Sequence, residues 1–240
     1  MVQRGRELAA EHRELLAQIR ARYGVPPEIV VAIWGIESGY GQYGGSVPVF
    51  QALATLAWDP RRARLFRAQL YDALAMVERG YIDAPSMVGS WAGAMGQPQF
   101  MPSSYLSYAM DFDGDGRRDI WTSHADTLGS IANYLRGHGW RADEPWGREV
   151  VAPRVSVGAR RVGCRAMREM TASLGMAEWR RAGGCAAAGG ALDGPEASLV
   201  RAGKRRFLVH ANYEASLHYN CAHHYALAIG ILATSIAERV

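Results

Sequence analysis

Hydrophobic residues along this chain recur mostly at helical spacing. Leu8, Leu15, Leu16 and Ile19 mark the inner face of a first helix expected over residues 6–23. Ile29, Val30, Ile33, Trp34 and Ile36 predict a more apolar helix from Pro26 onward. Pro26 and Pro27 suit its first turn, and Gly39 or Gly41 its end. A helix is expected over residues 50–58, and another begins at Asp59-Pro60 with the stripe Leu65, Phe66, Leu70, Leu74 and Val77. Residues 89–101 are rich in glycine and other small side chains, and read as a loop with close backbone approach. Pro102-Ser103-Ser104-Tyr105 opens a short helix. Ser123, with Asp126 three positions on, has the form of a capping box for a helix through Ile131, Tyr134 and Leu135.

The pattern changes after Trp146. Short β-branched runs at Val150-Val151, residues 155–157, Leu199-Val200 and residues 207–209 alternate with Gly- and Ala-rich connections. One short helix is expected near residues 166–174, and a last one over 220–238. The apolar stretch 225–233 is too short to cross a bilayer and reads as a core helix. The class is therefore α+β, mainly α. A helical core spans 1–148, a small strand-containing insert 149–205, and a segment 206–240 returns to the core.

Within this frame Glu37 draws attention. It closes an apolar helix and is followed by Ser38-Gly39-Tyr40-Gly41. Apolar surroundings and the negative end of the helix dipole both disfavour the ionised form, so its pKa is expected to rise. A carboxyl that keeps its proton near neutral pH is what a general acid needs. The plain alternative is a helix-end glutamate held by neighbouring donors.

Composition changes this picture little. A 240-residue chain can bury a sizeable core, and its net charge of +4 suits an acidic polymer as partner. The basic residues are mostly arginines spread along helices, which argues against nucleic acid. Met1-Val2-Gln3-Arg4 leads into a polar amphipathic helix and does not read as a secretory leader. Cys164 and Cys185 would close a loop in an oxidising compartment and leave Cys221 unpaired; three buried thiols are the other reading.

Several long motifs in order carry a resemblance. They are residues 34–41, Phe50-Gln51-Ala52-Leu53-Ala54-Thr55-Leu56, Pro60-Arg61-Arg62, residues 89–105, and Asp111-Phe112-Asp113-Gly114-Asp115-Gly116. Ile131-Ala132-Asn133-Tyr134, Gly137-His138-Gly139-Trp140, Tyr219-Asn220 and Tyr225-Ala226 continue it. Together they resemble the membrane-bound lytic murein transglycosylase B family, closely over residues 20–145 and more loosely over 206–238. The resemblance implies a lysozyme-like fold. It also implies cleavage of the β-1,4 bond between N-acetylmuramic acid and N-acetylglucosamine of peptidoglycan, without water, leaving a 1,6-anhydro ring. It makes Glu37 the single catalytic acid/base, and Ser90, Gln99, Tyr134, Tyr219 and Asn220 substrate-binding residues. It further implies a monomer in the periplasm or cell envelope that reaches a membrane only through a lipid anchor outside this chain. The family usually carries a helical region before the point where this chain starts, yet all the matched site residues lie within the chain. A hydrolytic muramidase and a catalytically silent peptidoglycan-binding protein are the competing readings.

No cofactor is expected. Asp111, Asp113 and Asp115 follow the opening of an EF-hand calcium loop, but Thr122 stands where a bidentate Glu belongs. Calcium is thus a weak candidate, and a turn in which Asp side chains bond backbone amides needs no metal. Asp119 offers at most a ninth-position ligand. His138, His210, His218, His223 and His224 lack metal spacing and read as cleft-rim or solvated residues.

Overall fold

The computed structural model describes residues 1–151, 158–160 and 162–238. The expected run at 155–157 lies outside them. Two compact units emerge, one of Met1–Gly137 with the chain's end from Ile236, the other of His138–Ser235. The expected insert, 149–205, lies inside the second unit, which also takes in 138–148 and 206–235.

The first unit is helical. The first expected helix is two, α1 (Val2–Glu11) and α2 (Arg13–Tyr23), broken at His12. Next come α3 (Pro27–Ser38), β1 (Val47–Pro48), α4 (Val49–Trp58), α5 (Ala63–Glu78), β2 (Val88–Gly89), α6 (Pro102–Tyr108) and α7 (His124–Gly137). α3 follows its sequence signals closely. Pro27 occupies its first turn, residues 29–35 are buried throughout, and Gly39 ends it at φ 58°, a left-handed conformation that glycine adopts without strain. α7 packs against α2, α3 and α6.

Two expectations need correction here. On α5 the buried face is Phe66, Gln69, Ala73 and Met76, while Leu65 and Leu74 are exposed. Gln69 is tolerated inside because its amide is satisfied twice by Ser103, donating to the hydroxyl and accepting the backbone N–H, each at 3.0 Å. Only half of the capping box forms. Ser123 Oγ accepts the Asp126 N–H at 3.2 Å, but the Asp126 carboxylate turns instead to the N–H groups of Phe112 (2.7 Å) and Asp119 (2.6 Å).

The second unit is built on β3 (Gly147–Val151), α8 (Arg165–Glu169), α9 (Met176–Arg181), β4 (Cys185–Ala186), β5 (Ser198–Ala202), β6 (Arg205–Val209), α10 (Ala211–Tyr219) and α11 (His223–Ala237). Its strands form one antiparallel sheet in the order β4-β3-β6-β5. Val200, Phe207 and Val209 pack on one face with Met167, Tyr213 and Leu227. Leu199 and Leu208 pack on the other with Val150, Met176 and Trp179. Both faces are covered, so its strands read as short unbroken apolar runs and not as alternation. The cysteine expectations are overturned: Cys164 bonds Cys221, with Cα atoms 6.2 Å apart, and Cys185 is the exposed free thiol. Among the described residues no helix is long and apolar enough to cross a membrane.

Candidate active site

Glu37 lies in the last turn of α3 and is half-buried. One turn earlier on the helix, Trp34 is fully buried, and its indole N–H donates to Gln97 Oε1 at 2.7 Å. Gln97 Nε2 in turn donates to the Trp121 carbonyl at 2.9 Å. Rings of Tyr40 and His124 meet Trp34 edge-on at 5.7 and 4.9 Å. Ser38 Oγ donates to the Trp34 carbonyl (3.2 Å) and accepts the Gly41 N–H (3.0 Å), which fixes the turn that follows Glu37.

That turn leads to β1, which pairs antiparallel with β2. At Gly45 the backbone has φ 85°, and an added Cβ would stand 2.1 Å from the carbonyl carbon and oxygen of Gly89. Gly45 is therefore required by close approach. It brings the loop after Glu37 against Gly89 and Ser90. Ser90 is half-buried, and its hydroxyl accepts the Ala94 N–H at 3.1 Å. Gln99, also half-buried, donates to the carbonyls of Gly44 (3.2 Å) and Gly96 (2.8 Å), clamping the two loops together. Tyr40 and Gln99 have positive φ, 63° and 50°, and both flank this loop pair. Such strain persists where surrounding contacts over-determine it, often at functional sites.

Tyr134, on α7, is buried between Phe100 (5.5 Å) and Tyr108 (4.9 Å, edge-on). Its pKa is driven up by burial first, then by Tyr108 and by the negative charge of Glu37. Glu37 and Tyr134 thus share one electrostatic neighbourhood, with Ser90 and Gln99 on the loops that follow α3. Tyr219 and Asn220 belong to the second unit. There Tyr219 stacks on Tyr225 at 6.3 Å, and the exposed Asn220 ends α10, its N–H reaching the Ser216 carbonyl at 3.4 Å. The sequence reading passed over Gln97. Its signal was a polar residue amid apolar and glycine neighbours, the pattern of a buried amide with two fixed partners.

Asp111, Asp113 and Asp115 bring carboxylate oxygens within 4.8 Å of one another. Both Asp111 oxygens accept backbone N–H groups, of Gly114 (2.7 Å) and Gly116 (2.9 Å), and Asp113 accepts the Ser123 hydroxyl at 2.9 Å. Thr122 gives its hydroxyl to Asp119, which also accepts the N–H groups of Trp121 and Thr122. Burial raises the Asp119 pKa, but these hydrogen bonds outweigh it and hold the carboxyl below its usual value. Position twelve therefore offers no carboxylate and the ninth is spent locally, so this donor set fits calcium poorly. Among the histidines, His210 departs from expectation. It is buried, with Nδ1 3.0 Å from the Glu196 carbonyl and Nε2 without a partner.

A mainly helical chain with one half-buried carboxyl ending a buried helix has the lysozyme-like architecture of the lytic transglycosylases. The chain belongs to the Transglycosylase SLT domain family, whose model matches residues 1–234. It is 44% identical over 140 residues to Membrane-bound lytic murein transglycosylase B of Escherichia coli (strain K12), covering 58% of this chain and 38% of that protein. SltB3 from Pseudomonas aeruginosa, in complex with NAG-anhNAM-pentapeptide, matches at 44% identity and a TM-score of 0.87. That match covers 98% of this chain and 63% of SltB3. The Escherichia coli lytic transglycosylase Slt35 in complex with calcium matches at 33% identity and a TM-score of 0.83, over 98% of this chain and 74% of Slt35. The chain thus spans less than two thirds of the length of the first two relatives.

Proposed function

We propose that this chain cleaves the β-1,4 bond between N-acetylmuramic acid and N-acetylglucosamine in peptidoglycan as a lytic transglycosylase, with Glu37 as sole acid and base. The observation that carries this reading is the placement of Glu37, half-buried at the end of a buried helix and electrostatically coupled to Tyr134. Protonated Glu37 donates to the glycosidic oxygen as the bond to C1 breaks. The substrate's own 2-acetamido oxygen supports the oxocarbenium-like centre, which explains why one carboxylate serves where most glycosidases use two. Ionised Glu37 then takes the C6 hydroxyl proton while that oxygen attacks C1, closing the 1,6-anhydro ring. Because the nucleophile belongs to the substrate, its effective concentration far exceeds that of a competing external group.

In the first unit Ser90, Gln99 and Tyr134 contact the glycan, while the other hydrogen bonds of Ser90 and Gln99 hold the loops in register; in the second unit Tyr219 and Asn220 are glycan-binding residues. The enzyme acts in the cell envelope, in the periplasm, as a monomer, with any lipid anchor outside this chain. No cofactor enters the reaction. The Asp111–Asp115 cluster serves as a hydrogen-bonded turn, with calcium at most a weak occupant.

The test is turnover of purified peptidoglycan by wild type and Glu37→Gln, with products read by mass. Wild type should release fragments one water lighter than reducing-end products, and the substitution should slow release about 10³-fold. Equal release by both proteins would remove Glu37 from its role. Reducing ends would identify a hydrolytic muramidase, and binding with no release by wild type a peptidoglycan-binding protein.

A further inference from the structure

His12 and His124 meet against Trp34 in the first unit, and the reaction proposed above uses neither. His12 stands in the break between α1 and α2, with only 16% of its side chain exposed. His124 opens α7 and is half-buried. Their rings lie edge-on with centroids 5.0 Å apart, and they meet the Trp34 indole at 6.0 and 4.9 Å. His12 Nε2 is 3.2 Å from His124 Nδ1, although 112 residues separate the two in sequence.

A hydrogen bond between the rings accounts for that distance when one nitrogen carries a proton and the other does not. The same distance is also the edge of a coordination tetrahedron. Two imidazole nitrogens, each about 2.0 Å from a zinc ion, stand about 3.3 Å apart. An acid lies beside them. Glu11 Oε1 is 3.9 Å from His12 Nε2, and its negative charge reaches His124 as well. Among the described residues only Asp111, Asp113 and Asp115 already hold three ligand atoms within 4.8 Å, so here the third ligand closes by a turn of Glu11. With 59% of its side chain exposed, Glu11 has room for that turn. It is needed for charge too, because the positive end of α7 at His124 opposes a bare cation. Glu11, His12 and Glu14 also line a surface groove of about 640 Å³, a way in from solvent.

We propose that His12 and His124, with Glu11 as third ligand, bind a zinc ion that ties the α1–α2 break to α7 against Trp34. Two imidazoles and a carboxylate suit zinc, whereas calcium and magnesium take oxygen ligands. The proton shared by the rings leaves as the ion enters, since both nitrogens must then offer lone pairs, and water takes the fourth position. The ion stays outside the cleavage chemistry and stabilises the first unit by binding the folded state alone.

The test is calorimetric titration of zinc chloride into the whole chain at neutral pH. Cys185→Ser is present in every protein, so that the exposed thiol does not compete. One ion per chain should bind, and the heat should vary with the buffer as about one proton is released. His12→Gln and His124→Gln should each weaken binding about 100-fold, and Glu11→Gln about tenfold. Zinc at 100 times its Kd should raise the melting temperature by about 5 °C, and the histidine variants should lose this rise. Melting without zinc shows whether each variant folds. Should one fail to fold, imidazole nitrogen NMR of the Cys185→Ser chain decides, because zinc should shift His12 Nε2 and His124 Nδ1. Binding that survives either histidine variant, zinc-induced shifts confined to other histidines, or no binding below about 0.1 mM zinc overturns the proposal. None of these readings depends on glycan cleavage.

Discussion

The two units of this chain hold themselves together by different means. In the first, the decisive contacts around Glu37 are single hydrogen bonds and one close backbone approach, Gln97 to Trp34, Gln99 to Gly44 and Gly45 against Gly89. In the second, an antiparallel sheet buried on both faces and a disulfide spanning 57 residues set the structure. The difference teaches that a site needing an exact loop is held by a few single contacts at glycines and buried amides, the hydrogen bonds among them joining residues 63 and 55 apart in sequence. The scaffold is held by continuous strand pairing and a covalent cross-link.

The sharpest way to break this comparison is to open the cross-link. Closing a loop of this length restricts the unfolded chain, a contribution of about 4 kcal/mol. Cys221→Ser should remove most of it from the oxidised protein. Hydrogen exchange should then rise across the second unit, in β5, β6 and α10, and stay unchanged in α3 and α7. Equal loss of protection in both units would show that they do not differ in the way argued.

The same contrast explains what the sequence disclosed. α3, its proline start, its glycine end and the placement of Glu37 were legible because each signal acts within a few residues. The lysozyme-like architecture and the α+β class were legible through ordered motifs. The pairing of Cys164 with Cys221 was not, because α8, α9, β4, the β5–β6 hairpin and α10 intervene and no local residue encodes it. α9 and α10 were missed for a related reason: α9 has six residues, and α10 mixes polar Asn212 and Ser216 with Tyr213, Ala215 and Leu217 among its buried positions, so neither presents a clear two-faced pattern. On α5 the stripe slipped because a satisfied Gln69, not a leucine, faces inward.

The next effect belongs to the first unit. Gly45→Ala would place a methyl against the Gly89 carbonyl at a positive φ, and neither backbone can yield cheaply. The expected loss is about 3 kcal/mol, read as a lowered melting temperature. Cleavage should fall with it, since Ser90 moves with Gly89. The second unit's exchange protection should not change. A neutral result would mean that the loop after Glu37 has freedom the close approach denies it.

Acid should separate the units again, by a smaller amount. In the second unit burial holds His210, His218 and His223 below the ordinary histidine pKa, whereas in the first a lowered value falls on His124, through burial and His12. A histidine lowered in the folded state stays neutral while its unfolded counterpart gains a proton. Stability is therefore intact above the unfolded value near 6.5 and declines as pH drops below it. His210 should contribute most, because a proton on its buried Nε2 finds no acceptor, a cost of about 1 kcal/mol or more. Thermal unfolding followed by regional exchange from pH 7.5 to 5.5 should show the second unit weakening first. His210→Asn keeps a donor for the Glu196 carbonyl and removes the titrating nitrogen, so it should flatten that decline. An unchanged pH slope in this variant would move the acid sensitivity to His218 and His223, and equal weakening of both units would erase the distinction between them.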